Sequence, residues 1–191
     1  MPAGQGDLQK RVKEATRKIA GGPDCAPLQG RLRTFLALLN SKGVPCLLTG
    51  GHALAHHGYV RATADMDIWV GRQRGSAEKL MQAFEEFGIR RPRLCPELLL
   101  EVDLIQIGGR PFKVEQQDRV IRVGRPPFQI EIMLWASGVV FEECYRRRVV
   151  TTIDNVEVNV ISLEDLIANK KAANRPVDLD DIEHLRGIAG T

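Results

Sequence analysis

Two aspartates one residue apart, Asp65 and Asp67, are the sharpest chemical feature of this sequence. They open Met66-Asp67-Ile68-Trp69-Val70, whose apolar character predicts a strand over Met66–Val70. Residues two apart in a strand point to the same face, so Asp65 and Asp67 stand side by side while Met66 and Ile68 turn to the core. Adjacent carboxylates repel each other. A divalent cation between them removes that cost, and oxygen ligands suit Mg²⁺. The alternative for a bare D-x-D is a solvated strand edge with two charges. A third ligand has to come from another strand, and Glu131 is the candidate. In Phe128–Leu134 it alternates with Ile130, Ile132 and Leu134, which puts it on the polar face. A plain exposed strand glutamate is the competing reading. Three carboxylates would hold two metal ions, one activating an acceptor hydroxyl and the other steadying a triphosphate and its leaving pyrophosphate. Catalysis would then be mainly positioning and charge neutralisation.

Other residues around this segment suit phosphate. Gly50-Gly51 lies between a predicted strand, Val44–Thr49, and a predicted short helix, His52–His57. Glycine there lets the backbone turn sharply and lets phosphate approach peptide N–H groups. A tight turn alone would explain the pair equally. Arg61 and Thr63 sit just before the aspartates; Arg61 either pairs with phosphate or is a surface loop arginine, and Arg175 and Asp178 pose a similar choice. Lys170 follows Ser162, an N-cap with Asp165 three residues on. It falls near the centre of the stripe formed by Leu163, Leu166 and Ile167. A lysine there snorkels at the core edge or reaches into a cleft toward an anion, while Lys171 turns to solvent. Asp178 with Asp181 reads as a helix cap. His52 and His56 have a metal-like spacing, but Ala53 replaces the glutamate of H-E-x-x-H, so the histidines are expected to pack or line the cleft. Trp69 and Trp135 are expected at the core edge.

These residues need elements to position them. Helical periodicity predicts helices over residues 28–42 and 76–87, closed by Gly43 and Gly88. Strands are predicted over Val120–Val123 and Phe128–Leu134, joined by a Gly124-Arg125-Pro126-Pro127 turn, and over Val156–Ile161. Helices over Ser162–Ala173 and Asp178–Ile188 flank Pro176. A basic helix is expected over 7–20, followed by a linker at 22–27. Three prolines punctuate 89–118, which yields only a weak reading. The elements interleave around one core, so the fold class is α/β or α+β, and α+β is the expectation taken forward with the resemblance below. The expected division is a basic helix and linker (1–27), a core (28–161) and a C-terminal helical region (162–191) packing on it.

Composition bounds the rest. The chain has 191 residues, 43% hydrophobic and 27% charged, a globular balance. Its four cysteines form no C-x-x-C pair, which argues against a zinc ribbon and fits reduced thiols. With no 18-residue apolar run and no signal-peptide core, a cytoplasmic protein without membrane contact is expected. A net charge of +3 is compatible with a phosphate-bearing substrate. The Arg146-Arg147-Arg148 run reads as a solvated face, and no dedicated RNA-binding motif is present.

Gly-Gly, a short helix and D-x-D together resemble the signature of the polymerase-β nucleotidyltransferase superfamily. The longer string GGHALAHHGYVRATADMDIWV is similar to bacterial nucleotidyltransferase-like proteins related to the toxins of type IV abortive-infection systems. VIRVGRPPFQIEIM (120–133) and ISLEDLIANKKAANRPVDLDDIEHL (161–185) extend the resemblance over most of 44–185. It implies a polymerase-β-type fold, a mixed sheet flanked by helices with a helical C-terminal region. It implies Mg²⁺ or Mn²⁺ on Asp65, Asp67 and Glu131, the last often aspartate in these relatives. It also implies an NTP held by Gly50, Gly51 and Lys170, with an NMP transferred to tRNA or protein, and a cognate antitoxin as partner. Two other outcomes remain: a small-molecule, aminoglycoside-type nucleotidyltransferase, and a nucleotide-binding partner module without turnover.

Overall fold

The computed structural model describes residues 26–63, 65–89, 94–117 and 119–189. The expected basic helix over 7–20 lies outside them. The chain runs through α1 (Ala26–Ser41), β1 (Cys46–Leu48), α2 (Gly50–His56), β2 (Met66–Val70), α3 (Arg74–Glu86) and α4 (Pro96–Glu101). It continues through β3 (Leu104–Gln117), β4 (Val120–Met133), α5 (Phe141–Arg146), β5 (Val149–Ile153), β6 (Val156–Val160), α6 (Leu163–Ala173) and α7 (Pro176–Ala189). The strands form one mixed sheet in the order β3-β4-β2-β1-β6-β5. None of the described helices is long and apolar enough to cross a membrane.

Periodic apolar residues make the helical layer. Phe35 and Leu39 of α1 and Leu80 and Phe84 of α3 have no solvent exposure, and the Phe35 ring stacks on Phe84 at 6.2 Å and meets Phe87 edge-on at 4.9 Å. Just past α3, Gly88 at φ +91 lets the Ile89 N–H turn back to the Phe84 carbonyl (2.8 Å). This cluster joins β1 and β2, whose Leu47 and Ile68 are also fully buried.

The centre of the sheet brings two of the acidic residues side by side. β1 and β2 are antiparallel, with Leu48 opposite Ile68. β2 and β4 are parallel, with Asp67 opposite Glu131 and Ile68 opposite Ile132. Extended backbone runs through all of β4, across the sequence expected to be a turn. The pairing register reconciles the two. Leu104–Ile107 of β3 meets Val120–Val123 in one sense (104 with 120, 107 with 123) and Ile130–Met133 in the opposite sense (104 with 133, 107 with 130). The chain therefore reverses between Val123 and Ile130, where Gly124-Arg125-Pro126-Pro127 lies, and Leu104–Ile107 of β3 is flanked by both halves of β4.

Several boundaries shift from the sequence reading. The weakly read stretch 89–118 holds α4, with Pro96 in its first turn, and all of β3. The last helix starts at Pro176 rather than Asp178, since proline suits the first helical position. β6 falls on the strand expected over Val156–Ile161, whereas its hairpin partner β5 and the helix α5 were not expected. Asp154 and Asn155, both at positive φ, make the two-residue hairpin turn that a D-N pair between β-branched runs favours.

Candidate active site

The strand period and the register bring the three predicted carboxylates together. Asp67 is opposite Glu131 across the β2–β4 pair, and Asp65 precedes it by two residues on the same side. One oxygen of each lies within 4.8 Å of the others, and all three are half-buried. Among the described residues this is the one group of three or more histidine, cysteine or acidic side chains close enough to share an ion. His52 and His56 do not join it. His52 is half-buried near Asp65; burial lowers its pKa and Asp65 opposes that. His57 is tied to the Ile161 carbonyl at 2.8 Å.

Crowding three acids costs free energy, which shows in their proton affinities. The pKa of Asp67 is pushed up to about 7, first by burial and then by Asp65 and Glu131, with Arg175 and Lys170 pulling the other way. Glu131 is raised above the ordinary carboxylate range by burial, against a hydrogen bond from Gln106. The donor set is all oxygen and anionic, which fits a hard divalent cation such as Mg²⁺ or Mn²⁺.

The two glycines make room for this cluster. Gly50 opens α2 at φ +55, and a Cβ there would lie 2.5 Å from Cγ and 3.0 Å from Cβ of Asp67, overlapping its carboxylate. A Cβ on Gly51 would lie 2.6 Å from Cβ of Thr63. Thr63 in turn donates its hydroxyl to the backbone carbonyl (3.2 Å) and side chain (3.3 Å) of Asp65. The Thr49 N–H holds the Asp67 carbonyl at 2.9 Å. The Gly-Gly turn and the loop before β2 thus pack directly against the aspartates.

Basic residues line one side as a chain of ion pairs. Arg61 donates through Nε (2.8 Å) and Nη2 (3.2 Å) to Asp181. Lys170 Nζ bridges Asp181 (2.6 Å) and Asp178 (3.1 Å). Arg175 donates to Asp178 through Nε (2.7 Å) and Nη2 (3.1 Å). The side chains of Asp178 and Asp181 are fully buried and that of Lys170 is 4% exposed, whereas Arg61 is 29% and Arg175 69% exposed. Burial would raise the Asp178 pKa, but its bonds to Arg175 and Lys170 win and hold it low. The field of this group reaches the acids: Lys170 and Arg175 both act on Asp67, and Arg175 also on Glu131.

This corrects the reading of Asp178 and Asp181 as a helix cap. Asp178 does accept the Arg175 backbone N–H (3.3 Å), but both aspartates chiefly bind the basic side chains. Lys170 lies in the buried middle of the ion-pair chain, at the stripe position its spacing gave it, while Lys171 is exposed. Gln106 and Asp181 were missed as site residues, whereas Arg175 and Asp178 share with Arg61 the choice between phosphate and a surface loop. Gln106 carried a signal, since it alternates with Ile105 and Ile107 as Glu131 does with its neighbours.

Two more expectations are revised. Trp69 is 3% exposed, but Trp135 is 57% exposed and lies outside the core. The Arg146-Arg147-Arg148 run is not simply solvated: Arg147 forks onto Asp165 (2.8 and 3.2 Å), and Arg148 binds Asn159 and covers the Tyr145 ring at 4.2 Å.

No protein-family model matches the sequence, and no curated protein matches it. A solved structure that resembles the fold is that of an antigenic nucleotidyltransferase-like protein from Paracoccidioides brasiliensis. It is 15% identical, the match covers 95% of this chain and 76% of that one, and the TM-score is 0.43. A likeness at that level is too slight to assign fold or activity.

Proposed function

We propose that this chain is a metal-dependent nucleotidyltransferase that moves a nucleoside monophosphate from an NTP to an acceptor hydroxyl. The observation that carries the reading is the convergence of Asp65, Asp67 and Glu131, with oxygens within 4.8 Å, against a glycine turn that leaves no room for a side chain. Asp65, Asp67 and Glu131 would hold Mg²⁺ or Mn²⁺, which supplies Lewis-acid stabilisation of phosphoryl charge when bound.

The chain's own residues do the positioning. Gly50 and Gly51 give the phosphates a side-chain-free approach to the aspartates. Thr63 holds Asp65, and Gln106 holds Glu131. Arg61 and Arg175, fixed by Asp181 and Asp178, keep solvent-facing guanidinium surface beside the acids for the triphosphate. Lys170 supports both through the shared aspartates and adds its own field. In the transfer, the acceptor oxygen bonds to the α-phosphorus as the bond to pyrophosphate breaks, and the hydroxyl proton passes to a carboxylate of the cluster. The sequence resemblance favours a macromolecular acceptor, tRNA or protein, within a toxin–antitoxin pair.

The test is incubation of the protein with α-labelled NTPs and Mg²⁺ or Mn²⁺ in the presence of tRNA, cellular protein or an aminoglycoside. Label transfer with release of one pyrophosphate, lost in Asp67→Asn, supports the reading. Calorimetric NTP binding without pyrophosphate release would replace it with a nucleotide-binding module.

A further inference from the structure

The triad does not stand alone on its sheet face. A polar row crosses the strands beside it. Gln106 of β3 pairs in register with Glu131 on one side and with Arg122 on the other. The side chains follow the backbone: Gln106 Nε2 donates to Glu131 Oε1 at 2.6 Å, and Arg122 Nε donates to Gln106 Oε1 at 3.1 Å. The residues flanking Gln106, Ile105 and Ile107, are buried on the opposite face, as are Ile121, Val123, Ile130 and Ile132. All three polar side chains are partly buried, so each bond is protected from full competition by water.

The order of donors matters. A guanidinium donates only, and a carboxylate accepts only. Between them an amide has one satisfactory orientation, with oxygen toward Arg122 and nitrogen toward Glu131. Arg122 therefore sets the polarity of the amide, and the amide in turn fixes one oxygen of Glu131. Glutamate has one more rotatable bond than aspartate, so its carboxylate loses more freedom when a metal claims it. A clamp on Oε1 removes that freedom in advance.

We propose that Gln106, oriented by Arg122, is a positioning residue that presents the Glu131 carboxylate to the metal pair. This rests on the nucleotidyltransferase reading of the triad, but its test does not depend on turnover. Partners of this kind, one bond removed from the ion, are typically worth about 10- to 100-fold in metal affinity.

The experiment is a Mn²⁺ titration without nucleotide, followed by electron paramagnetic resonance and calorimetry, on the wild type and on Asp67→Asn, Gln106→Met, Arg122→Met, Arg122→Lys and the double Gln106→Met/Arg122→Met. Circular dichroism and thermal melting score folding in each. We expect Gln106→Met to weaken Mn²⁺ binding about tenfold or more, Arg122→Met to weaken it by less, and Arg122→Lys to restore part of the loss. The double variant should bind no worse than Gln106→Met, because the two residues act in series on one carboxylate. If Gln106→Met does not fold, Arg122→Met against Arg122→Lys makes the same comparison. Wild-type affinity in folded Gln106→Met or Arg122→Met, or additive losses in the double variant, overturns the positioning role while leaving the triad intact. Absence of Mn²⁺ binding in the wild type, or its survival in Asp67→Asn, overturns the metal reading itself.

Discussion

Gly50→Ala is the substitution whose outcome the structure constrains most tightly. Two costs arise at one atom. Gly50 sits at φ +55, in the left-handed region that an L-residue enters at about 1–2 kcal/mol. The added methyl would also lie 2.5 Å from the Asp67 Cγ. Rotating the carboxylate about its last bond leaves Cγ in place, so it does not relieve the clash. A carbon–carbon contact needs about 3.5 Å, so Cγ must withdraw by about 1 Å, through a change in Asp67 χ1 or a shift of β2 against the glycine turn. A displacement of that size at a reacting centre costs about 100-fold in rate. The loss of stability should be modest by comparison, roughly 2–8 °C in melting temperature for a chain of this length. We therefore expect Gly50→Ala to remain folded by circular dichroism, to bind Mn²⁺ weakly, and to release pyrophosphate at about 1% of the wild-type rate. Near wild-type metal affinity and turnover in the folded variant would refute the claim that this contact sets the position of Asp67.

Other consequences follow from the charges. In the folded chain Asp67 keeps its proton up to about pH 7, against a reference of 3.8. The folded state thus binds more protons than the unfolded state between those values. Raising the pH through about 4–7 costs the metal-free protein stability, and the loss is complete above 7. Without metal, Asp67→Asn should be more stable than wild type at pH 8, by at most about 4 kcal/mol, and lose this pH slope; Mn²⁺ should raise the melting temperature of wild type but not of the variant. An unchanged slope in Asp67→Asn would move the effect to another group. Lys170→Met removes the cation shared by two fully buried aspartates. Urea unfolding should show a loss of about 3 kcal/mol, since Arg61 and Arg175 compensate only in part. A variant that unfolds no more easily but no longer binds NTP would instead assign Lys170 to the triphosphate.

What could be read from the sequence was local. The strand period alone put Asp65 and Asp67 on one face, and it put Glu131 on a polar face. Alternation does not say which strands are neighbours, so the opposition of Asp67 and Glu131 had to come from the sheet order. Gly50 read as a turn; its closeness to Asp67 is a tertiary fact. Lys170 read as a lysine in an apolar stripe, which is where it is. The spacing of Asp178 and Asp181 by three residues showed two carboxylates on one helical face. The cap reading prevailed because Arg61 is more than a hundred residues away and nothing local announces it. β3 was hidden by prolines and by a chain that folds back on itself; Gln106 alternates with two isoleucines there, but alternation alone does not make Glu131 its neighbour.

The ion-pair chain from Arg61 through Asp181, Lys170 and Asp178 to Arg175 ties the loop before β2 to both C-terminal helices. Such an arrangement is hard to dismantle by single steps in evolution. Neutralising any one member strands a neighbour's charge out of water, so most one-residue paths pass through a less stable protein. Descendants of this chain should keep all five positions or exchange them in concert. A lineage in which only part of the set survives would mark a change in what holds the C-terminal helices in place.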